Sequence, residues 1–158
     1  MNRPTWNDYF IGIAKAVAER SDCERSKVGA VVVKDRRIRA TGYNGSPAGA
    51  DGCDTCPRRN SGVEPGSPYH NCVAIHAEAN ALIHCDRSDL QGATVYVTRE
   101  PCFDCDKLLQ GAGVHAVVWP DDKAAKAAAA HVQGSNKLVR DYCLRCGMTH
   151  PKEGKCGR

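Results

Sequence analysis

A chain of 158 residues that is 42% apolar and 25% charged has the size and balance of one globular domain, which argues against a disordered chain or a coiled coil. No apolar run approaches the length of a membrane span, and Met1-Asn2-Arg3-Pro4-Thr5 leads into a helical pattern rather than a signal-peptide core, so a cytoplasmic location is expected. In that compartment the ten cysteines read as metal ligands and free thiols rather than as a disulfide framework, while a net charge of +4 suits a small anionic substrate without requiring nucleic acid.

Thr5-Trp6-Asn7-Asp8 has the form of a helix-capping box, and Trp6, Phe10, Ile13, Ala14 and Val17 follow at helical spacing, predicting a first helix with one buried face that ends near Ser21. Residues 28–33 and 38–41, joined by Lys34-Asp35-Arg36-Arg37, predict a buried hairpin. Gly42-Tyr43-Asn44-Gly45-Ser46-Pro47-Ala48-Gly49 is too rich in turn formers for a regular element, and a loop of this kind leaving a strand is a common place for binding residues. Residues 50–71 are polar, with Arg58-Arg59 among them, and predict an excursion without secondary structure. Cys53, Cys56, His70 and Cys72 are available to staple it.

Further on, the pattern predicts a helix over 74–85, a strand over 94–98, a helix begun by Pro101 and continued from Cys102 to Gln110 until Gly111 and Gly113 stop it, and a strand over 114–119. The alanine-rich stretch 123–131 predicts another helix and 137–142 a last strand. Alternating strands and helices after a hairpin argue for an α/β layered domain with helices covering the sheet. The organisation expected is one domain over 1–142 and a Cys/His-containing tail over 143–158.

Two stretches carry chemistry: His76-Ala77-Glu78 and Pro101-Cys102-Phe103-Asp104-Cys105, together H-x-E-x22-P-C-x-x-C. One His and two Cys make three zinc ligands and leave a fourth position for water, the hallmark of a catalytic rather than a closed structural site. In mid-helix, side chains two apart diverge by roughly 200°, so His76 and Glu78 can serve one site only from a helix's opening turn. Cys102 and Cys105 share one face of the next helix's first turn, where the positive end of the dipole favours thiolate. Zinc held there lowers the pKa of a bound water to about 7, and Glu78, not a ligand, is placed to shuttle its proton. His-x-Glu or Cys-x-x-Cys alone is weak, the latter fitting a redox pair or a structural half-site equally well; their conjunction after Pro101 is strong.

With these motifs, and with Trp6-Asn7-Asp8-Tyr9-Phe10, Arg20-Ser21-Asp22-Cys23, Val28-Gly29-Ala30-Val31-Val32, Thr41 through Gly49 and Gly92 through Gly113, the chain resembles the cytidine/deoxycytidylate deaminase superfamily, and within it the deoxycytidylate (dCMP) deaminases. The resemblance fades after Trp119. It implies a three-layer α/β/α cytidine deaminase-like fold with a central mixed sheet of about five strands. It also implies hydrolytic deamination of dCMP to dUMP, a step of pyrimidine nucleotide biosynthesis that feeds dTMP supply. By resemblance, His76, Cys102 and Cys105 hold Zn2+, hydroxide generated there attacks cytosine C4, Glu78 is the proton shuttle and Asn44 lies near the sugar. A cytoplasmic homohexamer, activated allosterically by dCTP and inhibited by dTTP, is implied as well. Asp106 and Arg99-Glu100 depart from the smaller residues usual at those positions and bear on the pocket rim.

Some family members carry a second, structural zinc, which the resemblance maps to Cys23, Cys53, His70 and Cys72, with Cys56 as the substitute. The tail, Cys143-x2-Cys146-x3-His150-x5-Cys156, nearly has the spacing of a zinc knuckle and is a third candidate metal site beside a plain basic tail. Two rival readings remain. One is a deaminase of another substrate, such as dCTP, a free nucleoside or a polynucleotide, the last disfavoured by the low charge and the lack of aromatics among the basic residues. The other is a non-catalytic zinc-stabilised binding module, which has no use for Glu78.

Overall fold

The computed structural model describes residues 3–62, 72–120 and 135–138. The predicted helix over 123–131, residues 139–142 of the last predicted strand, His70, the tail cysteines and His150, and the 142/143 division lie outside them.

Helix α1 (Trp6–Ala18) starts where the capping box predicts: the Thr5 hydroxyl accepts from the Asp8 N–H at 3.1 Å and donates to the Asp8 carboxylate. Strands β1 (Gly29–Lys34) and β2 (Arg37–Tyr43) form the hairpin. Its two turn residues, Asp35 and Arg36, both have positive φ (53° and 60°), the twist a two-residue hairpin requires. The register slips between Val32 and Val33, because Ala40 faces the first and Ile38 the second.

The polar excursion is not without structure: a single 3-10 turn (Cys53–Thr55) runs into α2 (Pro57–Asn60). Pro57 opens that short helix, where a missing N–H costs nothing, and the Asn60 N–H closes it on the Cys56 carbonyl at 3.1 Å. Helix α3 (Ala77–Ile83) is shorter at its start than the periodicity predicts, since residues 74–76 stay extended, with Ile75 bridged to Gly45. A short α4 (Arg87–Leu90) then leads to β3 (Thr94–Val97), α5 (Phe103–Gly111) and β4 (Ala116–Pro120). Strand β5 (Ser135–Leu138) begins two residues before the predicted strand, because Ser135 pairs opposite Pro120.

Among the described residues the sheet has five strands in the order β2-β1-β3-β4-β5, mixed as expected: β3 and β4 are parallel and the other neighbours antiparallel. The valine run of β1 is apolar on both faces because both are covered. Phe10 and Ala14 of α1 pack with Val31, Val33, Tyr96 and Val118 on one face. Ala77 and Ala81 of α3 and Leu109 of α5 pack with Ala30, Val32, Val95, Val97, Val117 and Trp119 on the other. Three layers result. No helix among the described residues is long and apolar enough to cross a membrane.

The helices lie close because small residues face each other. A Cβ on Gly29 would overlap the Ala14 carbonyl and the Ala18 backbone, and one on Gly42 would overlap Ala77 and Ala81 of α3. The second contact seats α3, and with it the end that carries His76 and Glu78.

Candidate active site

His76 and Cys102 are both N-caps, in extended conformation immediately before α3 and α5. The backbone therefore turns at both residues, and each side chain leaves its helix at the end where unpaired N–H groups concentrate positive potential. The Cys102 sulfur accepts from the Cys105 N–H at 3.5 Å, as a Ser or Asp cap would. His76 Nδ1 lies 3.5 Å from the Cys102 sulfur and 3.3 Å from the Cys105 sulfur. All three donor atoms fall within 4.8 Å of one another, the one such group of three among the described residues.

These residues fit zinc. Across a tetrahedral zinc with ordinary Zn–N and Zn–S bonds, nitrogen and sulfur stand about 3.6 Å apart, close to both separations seen. Cys105 is buried, and burial pushes its thiol far up, with the Glu78 carboxylate and Cys102 adding to the shift. A buried thiol facing a buried carboxylate is the environment a divalent cation relieves, since metal binding deprotonates the thiol. Cys102, exposed, leaves a side of the centre open.

Glu78 stands in the first turn of α3 and is only 4% exposed. Ala77 between the ligand and the acid is wholly buried against the sheet, which pins both neighbours. The convergence of His76 and Glu78 at an opening turn is thus what the structure shows, as their spacing requires. Phe103 and Asp104, the variable pair of the second motif, turn outward: Phe103 is 75% exposed, with the Lys107 ammonium 4.8 Å over its ring and 2.7 Å from Asp104. That lysine holds the Asp104 carboxyl below its usual range. Asp106, one of the departures, accepts from the Gln110 amide at 2.9 Å along the helix.

The loop 42–49 is fastened to the start of α3. Gly45 and Ile75 exchange backbone hydrogen bonds of 3.2 and 2.9 Å, and the Asn80 amide donates to the Tyr43 carbonyl at 2.7 Å. Asn44 is buried as a brace: its Oδ1 accepts from the Val28 N–H at 2.7 Å and its Nδ2 donates to the Ser26 carbonyl at 2.8 Å. The Ser21 hydroxyl donates to its carbonyl at 2.6 Å. Asn80, Ile75 and Ser26 were singled out by no feature of their own, and Ser21 entered only as a helix end and within the stretch Arg20-Ser21-Asp22-Cys23, so none of the four was assigned a role at the site. The one available hint was Asn80, a polar residue inside an otherwise apolar helix.

Of the second proposed ligand set, Cys23 and Cys53 are brought near each other. The Cys53 N–H donates to Asp22 at 3.2 Å and Ser46 lies 3.8 Å from its sulfur. Burial, with Asp22 and Cys23 adding, pushes the Cys53 thiol up to about 11. Cys56 and Cys72 do not join them in a group of three among the described residues.

The sequence profile of the cytidine and deoxycytidylate deaminase zinc-binding region matches residues 4–120. The deoxycytidylate deaminase of Mycobacterium phage D29 is 65% identical over 127 residues, covering 77% of this chain and 99% of that protein. That of Schizosaccharomyces pombe is 39% identical over 120 residues, 74% of this chain but 37% of the yeast protein, so the chain spans well under half of that relative. Among solved structures, the dCMP deaminase of cyanophage S-TIM5 in complex with dCMP and dUMP aligns at a TM-score of 0.59 and 31% identity, over 75% of this chain and 83% of that one. The fold, the converged His, Cys, Cys and Glu, and these matches agree: the chain belongs to the cytidine and deoxycytidylate deaminase family.

Proposed function

We propose that this chain is a zinc-dependent hydrolase that converts dCMP to dUMP and ammonia. The observation that carries the reading is the meeting of His76, Cys102 and Cys105 beside a buried carboxylate, Glu78, that is spare of the ligand set. The relatives named above supply the substrate. His76, Cys102 and Cys105 would hold the zinc. Bound there, the metal supplies Lewis-acid activation of the water that attacks C4 of the cytosine ring.

Glu78 takes a proton from that water and delivers protons to the ring nitrogen N3 and then to the departing amine. The balance closes: a C4–O bond forms, the C4–N bond breaks, and the water's two protons end on N3 and on ammonia. The wholly buried Ala77 and the Gly45–Ile75 bridge hold the carboxylate in place, so it needs no reorientation between the two transfers. Asn44 has one N–H and one lone pair left beyond its bonds to Ser26 and Val28, enough to meet the nucleotide's sugar.

The decisive experiment is turnover of dCMP beside dCTP, deoxycytidine, cytosine and a cytosine-containing oligonucleotide, with zinc content measured on the same sample. Preference for dCMP is expected; preference for the oligonucleotide, or zinc-loaded protein inactive on all five, overturns the reading. Repeating the dCMP assay with dCTP and dTTP, and measuring native mass, tests the proposed regulation and hexamer. A second, structural zinc at Cys23 and Cys53, completed from His70 and Cys72, is supported by the proximity of those two free thiols. Two zincs per chain, falling to one in Cys53→Ser, is the expected result, and a third lost on removing residues 143–158 would assign the tail site. The thiols and the nucleotide substrate favour a cytoplasmic location.

A further inference from the structure

We infer that Arg99, braced by Ser26, is the cation that receives the substrate's 5′-phosphate, so that this pair makes the site select a nucleotide over a nucleoside. The inference rests on the deamination proposed above. Strand β3 ends in a fastened corner, where the Thr98 N–H donates to the Gly29 carbonyl at 3.0 Å and the Thr98 hydroxyl accepts from the Gly29 N–H at 3.2 Å. Arg99 follows directly, and it is exposed. Its Nη1 donates to the Ser26 hydroxyl at 3.2 Å, across the segment that leads into β1.

Both ends of this contact lead back to the reacting centre. Arg99 is three residues before Cys102, a separation of at most about 10 Å of extended chain. On the other side, the Ser26 carbonyl holds the Asn44 amide, and the next residue, Gly45, is bridged to Ile75, the neighbour of His76. The guanidinium is thus tied on one side to the segment that runs into Cys102 and on the other, through Ser26, to the Asn44 loop fastened beside His76.

Two nearby cations are already paired with carboxylates. The Lys27 ammonium is spent on Glu19 at 3.4 Å, and Lys107 on Asp104 at 2.7 Å. Arg99 pairs with no carboxylate among the described residues; a neutral hydroxyl takes one of its five N–H donors and leaves the rest to face solvent. A planar fork fixed at one corner and open at the other suits two oxygens of a phosphate.

The test compares kcat/KM for dCMP with kcat/KM for deoxycytidine, without added effector, in the zinc-loaded wild-type chain and in Arg99→Gln, Arg99→Lys and Ser26→Ala. In Arg99→Gln the dCMP-to-deoxycytidine ratio is expected to fall about tenfold or more, the size of one charge-assisted hydrogen bond. Arg99→Lys restores part of the ratio by keeping the charge, and Ser26→Ala lowers it less than Arg99→Gln does. An unchanged ratio in Arg99→Gln overturns the assignment, whether both substrates suffer equally or neither does. So does a parallel dCMP assay with added dCTP in which Arg99→Gln loses the response while its effector-free ratio stays intact, which would move Arg99 to an effector site. Wild-type protein that turns over neither substrate refutes the proposed function instead.

Discussion

The two faces of the sheet are built alike and used differently. On each, a strand glycine admits a helix through alanines four residues apart: Gly29 under Ala14 and Ala18 of α1, Gly42 under Ala77 and Ala81 of α3. On each, valines of β1 and β4 supply part of the apolar floor. The α1 face closes over aromatic and aliphatic side chains, Phe10 against Tyr96 at 5.0 Å between ring centres. The α3/α5 face closes over a carboxylate and a thiol as well, Glu78 and Cys105. Packing is therefore common to both faces; what makes one a reactive site is that two helices begin there, side by side, with a ligand at each cap. Changes on the α3/α5 face should cost chemistry first and stability second, and changes on the α1 face stability alone.

The largest effect belongs to the ligands. Cys105→Ser or His76→Ala should lose bound zinc and bring dCMP turnover to background, read by metal analysis and assay of the same preparation. Retained activity in a zinc-free variant would break the contrast at its root. Glu78→Gln sharpens it by separating metal from proton transfer: zinc should stay, while kcat falls by roughly 10²–10⁴, the usual range for a lost general acid–base group.

The matched glycines give the most direct comparison. Gly42→Ala and Gly29→Ala each insert one methyl into a filled interface, expected to cost about 1–3 kcal/mol by denaturant unfolding. Gly42→Ala should also lower kcat, since it displaces the helix that carries Glu78, and misplacement of about 1 Å can cost on the order of 10²-fold. Gly29→Ala should leave kcat near the wild-type value. Equal loss in both would show that the faces are not independent.

How much of this was legible in the sequence follows from how local each feature is. The Thr5 cap, the hairpin and the two motif helices depend on neighbours a few residues away, and they were readable. So was the convergence of His76 with Glu78, because helical geometry leaves it one solution. The short helices at Pro57–Asn60 and Arg87–Leu90 were missed, since four residues hold too little periodicity to register. The bridge of Gly45 to Ile75, the Asn80 bond to Tyr43 and the Arg99 bond to Ser26 join residues 30 to 73 positions apart, and no local pattern announces them. The loop 42–49 could be recognised as important, but what fastens it to the site could not.

The smallest expected effect tests the α1 face alone. Burial raises the pKa of the Tyr96 phenol, whose hydroxyl donates to Asn7 Oδ1 at 3.2 Å, above its ordinary value of 10. Below pH 10 both the folded and the unfolded chain keep this proton, and the group contributes no pH dependence. Above it the unfolded chain releases the proton while the folded chain still holds it, so stability falls as pH rises through the interval between the two values. Tyr96→Phe removes the ionisation along with a hydrogen bond worth about 1 kcal/mol. The variant should therefore melt slightly below wild type at pH 8 and narrow that gap as the pH passes 10, with dCMP turnover at pH 8 unaltered. A loss of turnover without a loss of stability would place Tyr96, and with it the α1 face, in the chemistry of the opposite side.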